Sequence, residues 1–76
     1  MHVSVFGLGY VGSVTAACLA QEGHQVVGVD TSRLKVDLMN AGRSPIIEPG
    51  LEELIAAGVS KKRLSCTIDS EEGVLG

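Results

Sequence analysis

The 76-residue sequence contains no tryptophan, one tyrosine and one phenylalanine. Six lysines and arginines stand against nine aspartates and glutamates, which gives a formal net charge of −3. Proteins that bind nucleic acid carry basic patches and stacking aromatic side chains, so this composition argues against a nucleic-acid partner. No apolar run approaches the roughly 18 residues of a membrane span, so we also expect no membrane association.

Cysteine is scarce as well, and neither Cys18 nor Cys66 belongs to a C-x-x-C pair. This spacing supports neither a metal site nor a redox motif. We therefore predict no metal ligands, and we expect both thiols to be small buried side chains in a reducing compartment.

Residues 14–18 (VTAAC) have some likeness to a lipoprotein cleavage box. A secretory signal begins with positive charge, however, and no lysine or arginine precedes Arg33. The sequence therefore predicts a cytoplasmic protein.

The chain does contain an alternation of strand and helix patterns. Apolar, valine-rich runs predict strands over residues 2–6, 25–29 and 64–68. Helical spacing and capping residues predict helices over residues 10–22, 32–40 and 49–57. Such alternation forms parallel sheets with right-handed crossovers, so we predict an α/β fold.

Several local features of the helices can be predicted. In the first helix Val11, Val14, Cys18 and Leu19 recur at helical spacing, and small residues allow close packing on the sheet.

In the second helix Leu34, Leu38 and Ala41 lie along one side, with Thr31 or Ser32 as the N-cap. In the third we expect Pro49 near the first position, Gly58 at the end, and a carboxylate cap from Glu48. After the third strand we expect Asp69 or Ser70 to cap a further helix.

The most informative segment is residues 7–12 (GLGYVG), which follow the first strand and open the first helix. This is the G-x-G-x-x-G turn of a dinucleotide-binding βαβ unit. Asp30 ends the second strand 18 residues after Gly12, close to the spacing of about 20 expected for the acid of this motif. The pattern predicts a Rossmann-type parallel sheet with flanking helices, incomplete because only about the first three strands are present.

Each glycine of the turn has its own role. Gly7 permits the tight turn, Gly9 allows the backbone to approach a pyrophosphate, and Gly12 lets the helix pack closely. The diphosphate then lies at the positive end of the helix dipole, where the N–H groups near Tyr10 and Val11 are the natural donors.

The acid at the end of the second strand predicts which cofactor binds. A carboxylate at Asp30 accepts hydrogen bonds from ribose hydroxyls and repels a 2′-phosphate, which favours NAD over NADP. The alternative is that Asp30 only caps the next helix. Lys35 can reach the same ribose from the first turn of that helix, although a solvated surface lysine would need no such role.

A second segment, residues 44–52 (SPIIEPGLE), joins the glycine turn to give a more specific pattern. Together they resemble the start of proteins of the UDP-glucose/GDP-mannose 6-dehydrogenase family. The two segments resemble the GDP-mannose branch of this family more than the UDP-glucose branch. That resemblance covers nearly the whole chain.

The resemblance implies an NAD-dependent oxidation of the C6 alcohol of a nucleotide-linked sugar to a carboxylate. Two NAD accept the hydrides, and a cysteine carries a covalent thioester. It also implies that the residues contacting NAD are Gly7, Gly9, Tyr10, Val11, Gly12, Asp30 and Lys35. No catalytic residue is expected here, because neither cysteine matches the nucleophile's motif.

We therefore interpret residues 1–76 as the N-terminal half of an NAD-binding domain, with the rest of that domain and the substrate domains outside this chain. The parent enzyme is expected to be a homo-oligomer that takes a nucleotide sugar as substrate. Two alternatives are another NAD-dependent Rossmann dehydrogenase, such as a 3-hydroxyacyl-CoA or 6-phosphogluconate type, and a non-catalytic NAD-sensing module. For residues 48–51, the E-P-G-L segment, we favour a structural role at the entry to the third helix over contact near the cofactor cleft.

Overall fold

The computed structural model describes residues 1–69. In chain order the elements are strand β1 (His2–Phe6), helix α1 (Tyr10–Gln21), strand β2 (Gln25–Val29), helix α2 (Arg33–Asn40), helix α3 (Leu51–Ser60) and strand β3 (Leu64–Thr67). The predicted α/β class is confirmed, and the bounds of β1 and β2 are as predicted. The further helix predicted from Asp69 or Ser70 falls largely outside the described residues.

The three strands form one parallel sheet in the order β1-β2-β3. Val3 pairs with Val26 and Val26 with Leu64, so these side chains share the face of the sheet on which the helices pack. Right-handed crossovers that advance in one direction place successive helices on the same face. Because all three strands are parallel, their carboxyl ends meet at one edge of the sheet.

Small residues bring α1 close to the sheet. Its buried residues are Ser13, Ala16, Ala17 and Ala20. The larger residues expected at helical spacing are less buried than these, and the side chain of Val11 is 74% exposed. Close approach of the backbone therefore decides which residues of α1 are buried.

The buried residues of α2 are not those that the sequence pattern places along one side of the helix. Val36 and Met39 are its buried residues, whereas Leu34 is 69% exposed and Ala41 is exposed. The helix packs mainly on β3, and it turns Val36 and Met39 toward that strand and α3. The N-cap is Ser32, whose Oγ accepts the N–H of Lys35 at 3.3 Å.

The entry to α3 also differs from the prediction. The helix begins at Leu51, and its N-cap is Gly50 in the left-handed region at φ +82°. Pro49 therefore precedes the helix, and no side chain caps it; the backbone carbonyl of Glu48 accepts the Leu51 N–H at 3.1 Å. Because only glycine adopts this φ readily, the turn before α3 depends on Gly50.

The end of α3 lies further along the chain than predicted. Gly58 is a buried helical residue, and the helix continues to Ser60. A Cβ on Gly58 would lie 3.1 Å from Leu64 Cβ and 3.2 Å from Ala20 Cβ. This glycine therefore allows α3 to approach both β3 and α1, and it does not end the helix.

The last residue of α2 is joined to β3 by a pair of hydrogen bonds. The Asn40 side chain donates through Nδ2 to the Cys66 carbonyl at 2.9 Å, and its Oδ1 accepts the Cys66 N–H at 2.8 Å. One carboxamide thus satisfies both backbone groups of a buried strand residue.

We predict that Asn40→Ala lowers the free energy of unfolding by about 1–3 kcal/mol, because two backbone groups of β3 lose their partner. Urea unfolding of the two proteins measures this difference. The matched control is Asp37→Ala, an exposed position on the same helix, for which we expect a change below about 0.5 kcal/mol. Equal effects of the two substitutions would contradict the role given to Asn40.

Candidate functional site

The glycine turn leaves β1 at the sheet edge where the carboxyl ends of the strands meet. Gly7 takes φ +93°, and its N–H donates to the Val29 carbonyl at 2.7 Å. A Cβ on Gly12 would overlap the Gly7 carbonyl oxygen, so the helix and the turn touch backbone to backbone. The predicted role of Gly12 is thus refined, because the close contact is with the turn itself.

Gly9 differs from the other two glycines. It is the N-cap of α1, with φ −74° and ψ −158°, and no side chain caps the helix. A Cβ at this position would have no atom of the described residues within 4 Å. The fold itself therefore does not require glycine here, and the space before the helix is open to a ligand.

Tyr10 and Val11 form the first turn of α1, beside this open space. Their side chains are 56% and 74% exposed. The first N–H groups of a helix have no partner inside it, and the helix dipole places partial positive charge there. An anion can be bound at this position by backbone groups alone.

The Asp30 carboxylate joins the turn to the start of α2. Its Oδ2 accepts the N–H of Leu8 at 2.7 Å, and its Oδ1 accepts the N–H of Ser32 at 2.8 Å. Asp30 therefore positions the N-cap residue of α2 without being the cap itself. Four acceptor directions on a carboxylate leave capacity for the hydroxyls of a bound sugar.

The same contacts lower the pKa of the Asp30 carboxyl below its ordinary value. The Leu8 N–H has the largest effect, followed by the Ser32 N–H. Partial burial opposes them, and the positive charge of Lys35 acts in the lowering direction. Lys35, half-buried in the first turn of α2, thus lies near enough to Asp30 to help lower the pKa of its carboxyl.

Two clefts adjoin the turn. One, of about 300 Å³, is lined by Phe6, Gly7, Val29, Asp30, Thr31 and Ile68. The other, of about 230 Å³, lies between the start of α1 and the E-P-G-L segment, and its lining includes Tyr10, Glu48, Pro49 and Gly50. The fold thus brings the two sequence motifs together, so the E-P-G-L segment both shapes the helix entry and borders the candidate site.

The cysteines and histidines lie away from this edge. Cys66 is buried, which raises the pKa of its thiol to about 11, while Cys18 is only half-buried. His2 and His24 stand at the amino ends of β1 and β2, opposite the glycine turn.

Within residues 1–69 no three His, Cys, Asp or Glu side chains are grouped to hold a metal ion. In the same part of the chain no helix has the length and hydropathy needed to cross a membrane.

The sequence did not indicate that Leu8 is the residue that Asp30 contacts. Leu8 is fully buried, and its side chain lies close to where a Cβ on Gly28 would be, at 2.9 Å. The variable second position of the turn is therefore anchored in the core. A large apolar residue between two glycines was the available sign.

A parallel sheet that presents a glycine turn, an exposed helix start and an acid at the end of β2 defines a Rossmann-type dinucleotide-binding fold. The model of the UDP-glucose/GDP-mannose dehydrogenase family, NAD binding domain, matches residues 1–75. The chain belongs to this family, and NAD is the cofactor of the domain it matches.

Individual relatives agree with this assignment. The chain is 57% identical to the GDP-mannose 6-dehydrogenase of Pseudomonas syringae pv. syringae over 74 residues, and 42% identical to the UDP-glucose 6-dehydrogenase of Rhizobium meliloti (strain 1021). These alignments cover 97% of this chain and 17% of each relative. The crystal structure of a ternary complex of GDP-mannose dehydrogenase from Pseudomonas aeruginosa superposes with a TM-score of 0.97, at 56% identity, over 99% of this chain and 17% of that one.

Because the pKa of Asp30 is lowered in the folded state from its ordinary value of 3.8, its contribution to stability is present above that value and is lost as the pH falls through the folded value. We predict that Asp30→Asn destabilises the protein at pH 7 by about 1–2 kcal/mol. This difference should shrink steadily in acid. Thermal unfolding of both proteins across the pH range measures it, and a difference that stays constant to about pH 2 would contradict the assignment.

Proposed function

We propose that this chain is the part of a nucleotide-sugar 6-dehydrogenase that binds the adenosine diphosphate half of NAD. The observation that carries the proposal is the joining of the glycine turn and the acid by one hydrogen bond, Leu8 N–H to Asp30 Oδ2 at 2.7 Å. This bond supports the proposal because it keeps the Asp30 carboxylate beside the exposed start of α1, where the proposed ribose and diphosphate contacts would be made.

The residues present fit this half of the cofactor. Gly9 offers open space in front of the N–H groups of Tyr10 and Val11, which would bind the diphosphate. Gly7 and Gly12 give the turn its shape, and Asp30 with Lys35 would bind the ribose. The Asp30 carboxylate is negatively charged at neutral pH, and a negative charge at this position favours NAD over a cofactor with a 2′-phosphate.

The proposed reaction is the oxidation of the C6 alcohol of GDP-mannose to the uronate. NAD, when bound, accepts hydride in two successive oxidations. This chain contributes binding and orientation only, because Cys66 is a buried thiol and Cys18 lies on α1, remote from the exposed start of the helix. The nucleophilic cysteine and the sugar-binding groups are assigned to the rest of the protein, since the chain spans 17% of the length of the relatives it matches.

GDP-mannose is preferred over UDP-glucose because identity to the named GDP-mannose 6-dehydrogenase is 57%, against 42% for the named UDP-glucose 6-dehydrogenase. We propose further that residues 1–76 are the N-terminal half of the NAD-binding domain and that the parent enzyme is a cytoplasmic homo-oligomer. The two free cysteines agree with a reducing compartment.

The glycines provide a test of the site. We predict that Gly9→Ala changes stability by less than about 1 kcal/mol, since its Cβ meets no atom of the fold. The same substitution should weaken NAD at least tenfold, or about 1.4 kcal/mol, because the methyl group fills the space proposed for the diphosphate. Thermal unfolding and calorimetric titration of the complete protein measure the two effects.

Gly12→Ala serves as the contrasting variant. Its Cβ overlaps the Gly7 carbonyl, so we expect a loss of about 3 kcal/mol or more in stability with or without cofactor. Unchanged NAD affinity in a folded Gly9→Ala protein would remove the diphosphate from this position.

The activity is tested on the complete protein with GDP-mannose or UDP-glucose and with NAD or NADP. We expect two NAD reduced for each GDP-mannose consumed and a uronate as product, with slower reaction on UDP-glucose and with NADP. One NAD per sugar would contradict the four-electron oxidation. Faster reaction with UDP-glucose would assign the other branch of the family.

A further inference from the structure

The peptide groups on both sides of Leu8 are held in place by side chains from elsewhere in the fold. Its N–H donates to Asp30 Oδ2 at 2.7 Å. Its carbonyl accepts a hydrogen bond from Ser13 Oγ at 3.0 Å. Asp30 is part of the dinucleotide motif, whereas position 13 lies one residue beyond it.

Ser13 is an unusual residue for its surroundings. It is 0% exposed, and among residues 1–69 it is the buried polar residue of the core. The other buried residues of α1 are alanines, at positions 16, 17 and 20. A buried hydroxyl without a partner is costly, and here the partner is the Leu8 carbonyl.

The direction of that carbonyl sets the direction of a neighbouring donor. The Leu8 carbonyl and the Gly9 N–H belong to one planar peptide, which is trans, as are the other peptide bonds of the described residues. In a trans peptide the two groups point in opposite directions. The Leu8 carbonyl points toward the buried Ser13 hydroxyl, so the Gly9 N–H points away from Ser13.

We propose that Ser13 is a positioning residue for the diphosphate of the dinucleotide. It acts through the Leu8–Gly9 peptide, whose orientation it fixes before the cofactor arrives. The inference rests on the proposed function of the glycine turn and adds to it a residue outside the motif. Leu8 thereby becomes the fixed point of the turn, with Asp30 on its ribose side and Ser13 on its phosphate side.

The test uses the complete protein and its Ser13→Ala variant. Alanine fits this buried position, because the other buried residues of α1 are also alanines. Affinities for ADP-ribose and for adenosine are measured by titration with NMR detection. We expect ADP-ribose to weaken threefold to tenfold while adenosine, which lacks phosphate, changes less than twofold. The Gly9 amide resonance, which we expect to shift on adding ADP-ribose to the native protein, should shift less in the variant.

Ala17→Gly is the matched control, because it destabilises the same helix at a buried position without touching the turn. Its ratio of the two affinities should equal that of the native protein. If Ser13→Ala weakens both ligands by the same factor, or neither, the positioning role is wrong. If the native protein binds neither ADP-ribose nor NAD, the proposed function fails instead.

Discussion

The hydrogen bond between the Leu8 N–H and the Asp30 carboxylate links the ends of the first two strands. The Gly7 N–H bond to the Val29 carbonyl and the Ser32 N–H bond to Asp30 Oδ1 act beside it, but neither joins the turn to the carboxylate. With it, the two groups of the dinucleotide motif keep a fixed separation. The buried Leu8 side chain adds a third attachment, so the turn is held by the core as well as by polar contacts.

Close backbone approach is what makes this arrangement possible. Gly12 lets α1 touch the turn, and Gly28 leaves room for both Leu8 and Cys66, since a Cβ there would lie 2.9 Å from each side chain. Alanines on α1 and Gly58 on α3 extend the same principle to the helix layer. Small residues therefore position the site, while the larger apolar side chains fill the spaces that remain.

The strands, the parallel arrangement of the sheet and the family could be predicted from the sequence. The alternation of strand and helix patterns, the glycine turn and the E-P-G-L segment are all local patterns in the chain. The buried side of α2 could not, since apolar residues occur on more than one side and only contact with β3 decides between them. The start of α3 was misplaced because Pro49 is favoured inside a first turn, whereas Gly50 takes the left-handed cap. Cofactor contacts at the seven predicted residues stay predictions, although the fold brings those residues to one edge.

The Asn40 carboxamide has a consequence for how this sheet can associate. Successive residues of a parallel strand direct their backbone groups to alternate sides. The Thr67 carbonyl accepts the N–H of Asp30, the residue after β2, so Thr67 faces β2. The backbone N–H and carbonyl of Cys66 therefore point away from β2, toward the outer edge of the sheet. Exposed strand edges recruit other chains, and native proteins block them with side chains or cover. A strand approaching β3 would first have to displace Asn40 from both of its bonds. A single side chain thereby blocks strand pairing at Cys66, on the outer edge of β3.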